Sequence, residues 1–202
     1  RDRDRILMGS ERKSMVMKEE EKKLTAYHEA GHAIVTIFSK DSDPIHKATI
    51  MPRGSALGMV MRLPEDDRLS VTRAKLKADL AVAMGGRVAE ELIFGYDKVT
   101  SGASSDIEHA TKLAKMMVTR WGMSDEIGPI MHEVSHDDFI SNDKANLIDD
   151  EIKKLIREAN DTATYLLKKY KKEFTTLAEA LIEYETLSGE EIENIINKNV
   201  YP

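Results

Sequence analysis

The chain has 202 residues, 41% hydrophobic and 33% charged, which is a globular balance and room for one main domain. Its net charge of -6 gives no general electrostatic ground for binding nucleic acid or anionic lipid. With no cysteine, disulfides, thiolate metal sites and cysteine nucleophiles are excluded, so any metal must be held by His, Asp or Glu.

Residues 1–16 are basic and charge-rich without a sustained apolar period, and they read as a linker or the tail of a preceding unit; residues 17–202 read as the main domain. The chain starts without Met, has neither a signal-peptide core nor an apolar run long enough to span a membrane, and is expected to be a piece of a longer protein. From about Lys18 to Ser39, Leu24, Tyr27, Ala30, Ile34, Val35 and Phe38 recur at helical spacing, and Pro44 closes the segment. Two β-leaning runs follow, 46–51 and 57–63, joined by the turn residues Pro52, Arg53, Gly54 and Ser55. Helical spacing returns over 70–94 through Leu76, Leu80, Met84, Val88 and Leu92. Gly85 and Gly86 interrupt it, which predicts close backbone packing or a break, since each interior glycine costs roughly 1 kcal/mol against alanine.

Ser105 and Glu108 match a capping box, predicting a helix from Asp106 with Ile107, Ala110, Leu113, Ala114, Met117, Val118 and Trp121 on its apolar face. Residues 122–146 read as irregular polar chain. Two further helices are predicted over 147–171 and 174–185, and a third begins at the capping box of Ser188 and Glu191. The fold class is therefore mainly α, with a small β-sheet near residues 46–63.

The first helix carries "TAYHEAGHAIV". His28 and His32 are four apart, so both imidazoles leave the same helical face one turn from each other and can reach one ion. Glu29 lies beside the first histidine, positioned to reach a water on that ion. This is the HExxH arrangement, in which zinc lowers the pKa of its water to about 7 and the glutamate moves the proton to the leaving amine. Two histidines at this spacing also occur on ordinary helix surfaces. Apolar residues on both sides of the motif, and Gly31 within it, point instead to a helix that something approaches closely.

A catalytic zinc needs a third protein ligand, and "AIVTIFSK" follows where a metzincin would place another histidine. By chemistry the candidates are His46, Glu90, Glu91, Asp106, His109, His132 and His136. Asp106 is equally at home in a helix's first turn through the dipole alone. Spacing does not choose among them.

Several long segments in order resemble one family: "MGSERKSMVM", "TAYHEAGHAIV", "PIHKATIMPRGSALGMVMRLPE", "MGGRVAEELIFG", "TSGASSDIEHATKLAKMMVTRWGMS" and "IDDEIKKLI". The chain resembles the C-terminal peptidase domain of the FtsH family of membrane-anchored, ATP-dependent zinc metalloproteases, an Asp-zincin fold. The resemblance implies one Zn2+ per chain held by His28, His32 and Asp106, with Glu29 as general base and acid. It also implies that Glu90 orients a histidine ligand from behind. The implied substrate is an unfolded or misassembled polypeptide, membrane proteins included, laid as an extra strand along the edge formed by Leu57, Gly58, Met59, Val60 and Met61.

Homohexameric rings are implied too, as is a parent protein in the bacterial inner membrane, or an equivalent organellar membrane, with this domain facing the cytoplasm. No G-x-x-x-x-G-K-[ST] loop occurs in these residues, so ATP would act only through a module outside them, and the membrane would be reached only through segments before residue 1. The alternative function is a non-catalytic ring-assembly module of such a complex, which intact His28, Glu29, His32 and Asp106 oppose.

Overall fold

The computed structural model describes residues 17–52, 59–62, 70–132 and 141–202. The predicted linker at 1–16, Leu57 and Gly58 of the predicted edge, and His136 lie outside them. In chain order the described elements are α1 (Glu19–Ile37), β1 (Ile45–Thr49), β2 (Met59–Arg62), α2 (Arg73–Phe94), α3 (Ser104–Thr119), α4 (Asn142–Lys169), α5 (Lys171–Tyr184), β3 (Thr186–Ser188) and α6 (Gly189–Lys198), with two short 3-10 turns between α2 and α3. The architecture is mainly helical with a small sheet, as expected. No described helix is long and apolar enough to cross a membrane.

α1 is the centre of the molecule. Every residue from Thr25 to Thr36 is buried, because α2, α4, α5 and the strands β1 and β2 surround the helix. Its N-terminus has no side-chain cap; Glu19, Glu20 and Glu21 in the first turn complement the dipole instead. Tyr27 packs edge-on against Phe94 and Phe174, with ring centroids 6.1 and 5.6 Å away, which ties the start of α1 to α2 and α5.

α2 begins at Thr72, whose side chain accepts from the Lys75 backbone N–H, and ends at Gly95, whose φ of 89° ends the helical path. The helix runs unbroken through Gly85 and Gly86, so of the two predicted alternatives close packing is the one realised. Gly31 and Gly85 face each other across the helix crossing: a Cβ on Gly85 would lie 2.8 Å from the Gly31 carbonyl oxygen, and one on Gly31 would overlap the Gly85 carbonyl.

The sheet has the order β2-β1-β3, all antiparallel. Ala48 pairs with Val60 on one side and with Leu187 on the other. β3 was not predicted: it is only three residues long, wedged between α5 and the capping box, too short to show alternation. β2 has β1 as its one strand neighbour among the described residues.

Three local expectations are corrected. Ser105 and Glu108 form no capping box, because α3 starts at Ser104 with Ala103 at the cap position and no side-chain cap bond. Ile107 and Trp121, expected on the apolar face of α3, are exposed at 44% and 45%: Ile107 lies in the first turn of the helix and Trp121 two residues past its end. α4 begins at Asn142, inside the stretch predicted to be irregular, because the Ser141 side chain accepts from the Lys144 N–H and caps a polar first turn. The Ser188 and Glu191 capping box is formed as predicted, with bonds of 3.1 and 2.9 Å.

Gly31→Ala sets a gain in helix propensity of about 1 kcal/mol against overlap with a backbone carbonyl that has no room to retreat. The overlap wins. A net loss of about 2 kcal/mol or more is expected in urea unfolding.

Candidate metal centre

The buried face of α1 presents His28 and His32, 8% exposed each, to α2 and to the first turn of α3. On the far side of each ring, Nδ1 is engaged by α2. The His32 Nδ1–H donates to the Val82 carbonyl at 2.7 Å, and a carbonyl accepts only, so the proton sits on Nδ1. The His28 Nδ1–H donates to Glu90 Oε2 at 2.6 Å. Both Nε2 atoms therefore turn to the same point, 3.1 Å from each other.

Asp106 reaches that point from α3. Its Oδ2 lies 3.2 Å from His28 Nε2 and 3.1 Å from His32 Nε2. The three ligand atoms form a nearly equilateral triangle with edges of 3.1–3.2 Å. A tetrahedral ion with bonds of 2.0–2.1 Å separates its ligands by about 3.3 Å, so the triangle has the size of one face of such a site. Asp106 arrives here because the loop after Gly95 and the 3-10 turns Tyr96–Lys98 and Ser101–Ala103 carry the chain over the end of α2.

Burial opposes a charge on His28, but hydrogen bonds to Asp106 and Glu90 outweigh it, and its pKa is pushed up to about 10. Burial likewise opposes the Asp106 carboxylate, and the hydrogen bonds from His28 and His32 overcome it and hold its pKa far below the usual range. Lone pairs converge on one point, and the point demands a cation. A proton meets that demand in part; a divalent ion meets it fully.

Glu29 is 6% exposed, and burial pushes its carboxyl pKa up against the pull of His32 and His28. Its Oε2 is buried without a hydrogen-bond partner. Such an orphaned oxygen is costly unless a further group completes it, and a water held beside the triangle is a group of the right kind. Gly86 supplies the floor: a Cβ there would overlap the Nε2 atoms of both histidines.

Of the candidate third ligands, Asp106 alone joins the two histidines in the convergent group found among the described residues. Glu90 touches His28 from behind and stays outside the triangle. It is 1% exposed, and burial, which would raise its pKa, is outweighed by hydrogen bonds from His28 and Thr100 that hold it low. Glu91 pairs with Arg87 at 3.7 Å, His109 is exposed on α3, His46 lies on β1, and the His132 backbone N–H bonds the Thr119 carbonyl.

Three contributors escaped sequence reasoning. Val82 acts through a backbone carbonyl, which no side-chain pattern reveals. Gly86 was noticed only as a packing glycine. Thr100 donates to Glu90 Oε1 through its N–H at 3.0 Å and its hydroxyl at 2.7 Å; a threonine between two helices carries no side-chain pattern that points to this role.

Comparison with known proteins gives a match to peptidase family M41 over residues 15–195. The chain is 55% identical to the "ATP-dependent zinc metalloprotease FtsH" of Rickettsia bellii (strain RML369-C) over 204 residues, covering 96% of this chain and 32% of that protein. It is 58% identical to the protein of the same name from Neorickettsia risticii (strain Illinois), covering 96% of this chain and 31% of that one. "ATP-dependent zinc metalloprotease FTSH 11, chloroplastic/mitochondrial" of Arabidopsis thaliana is 56% identical, with 96% and 24% covered. The chain thus spans about a third or less of the length of these curated relatives.

Gly86→Ala differs in kind from Gly31→Ala, because the added methyl meets the tips of side chains that can swing away. The fold is expected to survive, as read by circular dichroism. Zinc affinity, read by chelator competition, is expected to fall at least about tenfold as the imidazoles leave their shared point.

Proposed function

The chain belongs to peptidase family M41, and from that premise we propose that it is the zinc-dependent endopeptidase unit of a longer ATP-dependent protease. His28, His32 and Asp106 hold the ion, and Glu29 is the general base and acid. The single observation that carries this assignment is the 3.1–3.2 Å triangle of two Nε2 atoms and one carboxylate oxygen.

Zinc, when bound, supplies Lewis acidity that polarises a peptide carbonyl and brings a water's pKa to about 7. The chain's own residues do the rest. Val82 and Glu90 hold the two imidazoles as Nδ1–H tautomers, leaving both Nε2 lone pairs for the ion. Glu29 takes a proton from the attacking water and returns it to the amine nitrogen as the peptide bond breaks. Its buried, unpartnered oxygen and raised pKa suit both halves of that transfer.

The substrate is an unfolded polypeptide. β2 is an edge among the described residues and packs beside α1, so an extended chain added along Met59, Val60 and Met61 would run next to the helix bearing the histidines. Backbone pairing at that edge gives affinity with little sequence preference. The names of the relatives support ATP-dependent proteolysis by a longer protein. Substrate unfolding, attachment to the bacterial inner or an organellar membrane, and homohexameric assembly are the reading that the family resemblance adds, with ATP and the membrane engaged outside these residues.

Casein, which needs no unfolding, tests the core of the proposal. Glu29→Gln is expected to retain zinc and lose cleavage by at least about 100-fold. Asp106→Ala is expected to lower zinc affinity by more than the roughly 10–100-fold that an outer-sphere partner is worth. Full zinc occupancy and normal cleavage in Asp106→Ala would remove Asp106 from the ligand set, and undiminished cleavage in Glu29→Gln would remove the general base.

A further inference from the structure

We propose that Thr100 is a positioning residue for the metal centre, locking the Glu90 carboxylate in the orientation that aims the His28 imidazole at the point shared with His32 and Asp106. The inference rests on the zinc assignment proposed above and extends it to a residue that touches none of the three ligand atoms.

Glu90 divides its two oxygens. Oε2 accepts from His28 Nδ1, and Oε1 accepts both the backbone N–H and the hydroxyl of Thr100. A carboxylate anchored by the imidazole alone could turn about its own axis and let the ring follow. Anchored at both oxygens, its plane is set. Thr100 suits this task because a β-branched side chain has few χ1 choices, and its hydroxyl oxygen also accepts from the Gly102 N–H at 3.2 Å. Its hydroxyl hydrogen is thereby aimed at Glu90, whose ionised oxygen can only accept.

The place of Thr100 in the chain gives the contact a second consequence. It lies in the loop that leads from α2 into α3, and Asp106 stands in the first turn of α3. One buried carboxylate therefore joins the orientation of a histidine on α1 to the path of the loop that delivers Asp106. Networks of this kind are coupled, so loss of one member shows in the behaviour of the others.

The rival role for Thr100 is local: the bond to Gly102 stabilises the turn, and the contact with Glu90 is incidental. Zinc affinity of the 202-residue chain, measured by chelator competition, separates the two. Thr100→Val is expected to weaken zinc binding roughly tenfold, and Thr100→Ser, which keeps the hydroxyl, to bind as the wild type does. In a Glu90→Ala background, Thr100→Val should add less than about twofold, because the group it acts through is gone. Thr100 is exposed and its replacement leaves the core untouched, so circular dichroism should report a folded chain for Thr100→Val and for Thr100→Ser. Wild-type affinity in Thr100→Val, or an equal loss in the presence and absence of Glu90, would overturn the inference while leaving the zinc assignment standing. A wild-type chain that takes up no zinc would overturn the assignment, and the inference with it.

Discussion

Everything at the centre of this molecule depends on how closely α1 and α2 approach at Gly31 and Gly85. The two backbones meet where neither residue has a side chain, and a methyl group on either would strike the other's carbonyl. That approach lets Gly86 lie directly under the two imidazoles, the Val82 carbonyl reach His32 and the Glu90 carboxylate reach His28. A crossing wider by one methyl would part the histidines from the groups that set their tautomers. The helix-propensity cost of glycines in two helices, about 1 kcal/mol each, is thus offset by a contact no other residue permits.

The second constraint is electrostatic. Two imidazole lone pairs and a carboxylate converge within 3.2 Å, with a buried, unpartnered glutamate oxygen nearby. Left without a cation, such a site would be expensive to bury. Burial alone would have discharged His28 and protonated Asp106, yet both shifts run the other way, because each partner makes the other's charge tolerable. For Glu29 the pull of the two histidines is weaker than burial, and burial prevails there. One short stretch of helix thereby holds two groups whose pKa values are raised for different reasons: His28 by its carboxylate partners, Glu29 by burial.

Much of this was legible in the chain. The i, i+4 spacing of His28 and His32 places them on one helical face whatever surrounds the helix, and the apolar residues flanking them foretold burial. The long helices, the β1 and β2 pair and the final capping box were legible for the same reason: each is a local pattern of spacing or capping. β3 was not, since three residues carry no period. The start of α4 was not, since its polar first turns match a loop in composition. Ser105 and Glu108 had the letters of a capping box, but the 3-10 turn ahead of them starts the helix two residues early and leaves the box without its cap position.

Sequence alone determined that a two-histidine, one-glutamate motif sits on a helix, that no thiolate takes part, and that the fold is mainly helical, because these follow from residue type and from periods of a few residues. Resemblance to a known family named Asp106 ahead of six other candidates that spacing left equal. Only the tertiary structure decided that Asp106 reaches the histidines while Glu90 stands behind one of them, and that Val82 and Thr100 complete the frame. Those facts depend on where α2, its following loop and α3 run relative to α1. Contacts between residues 50 to 78 positions apart are set by packing, of which a linear pattern carries no record.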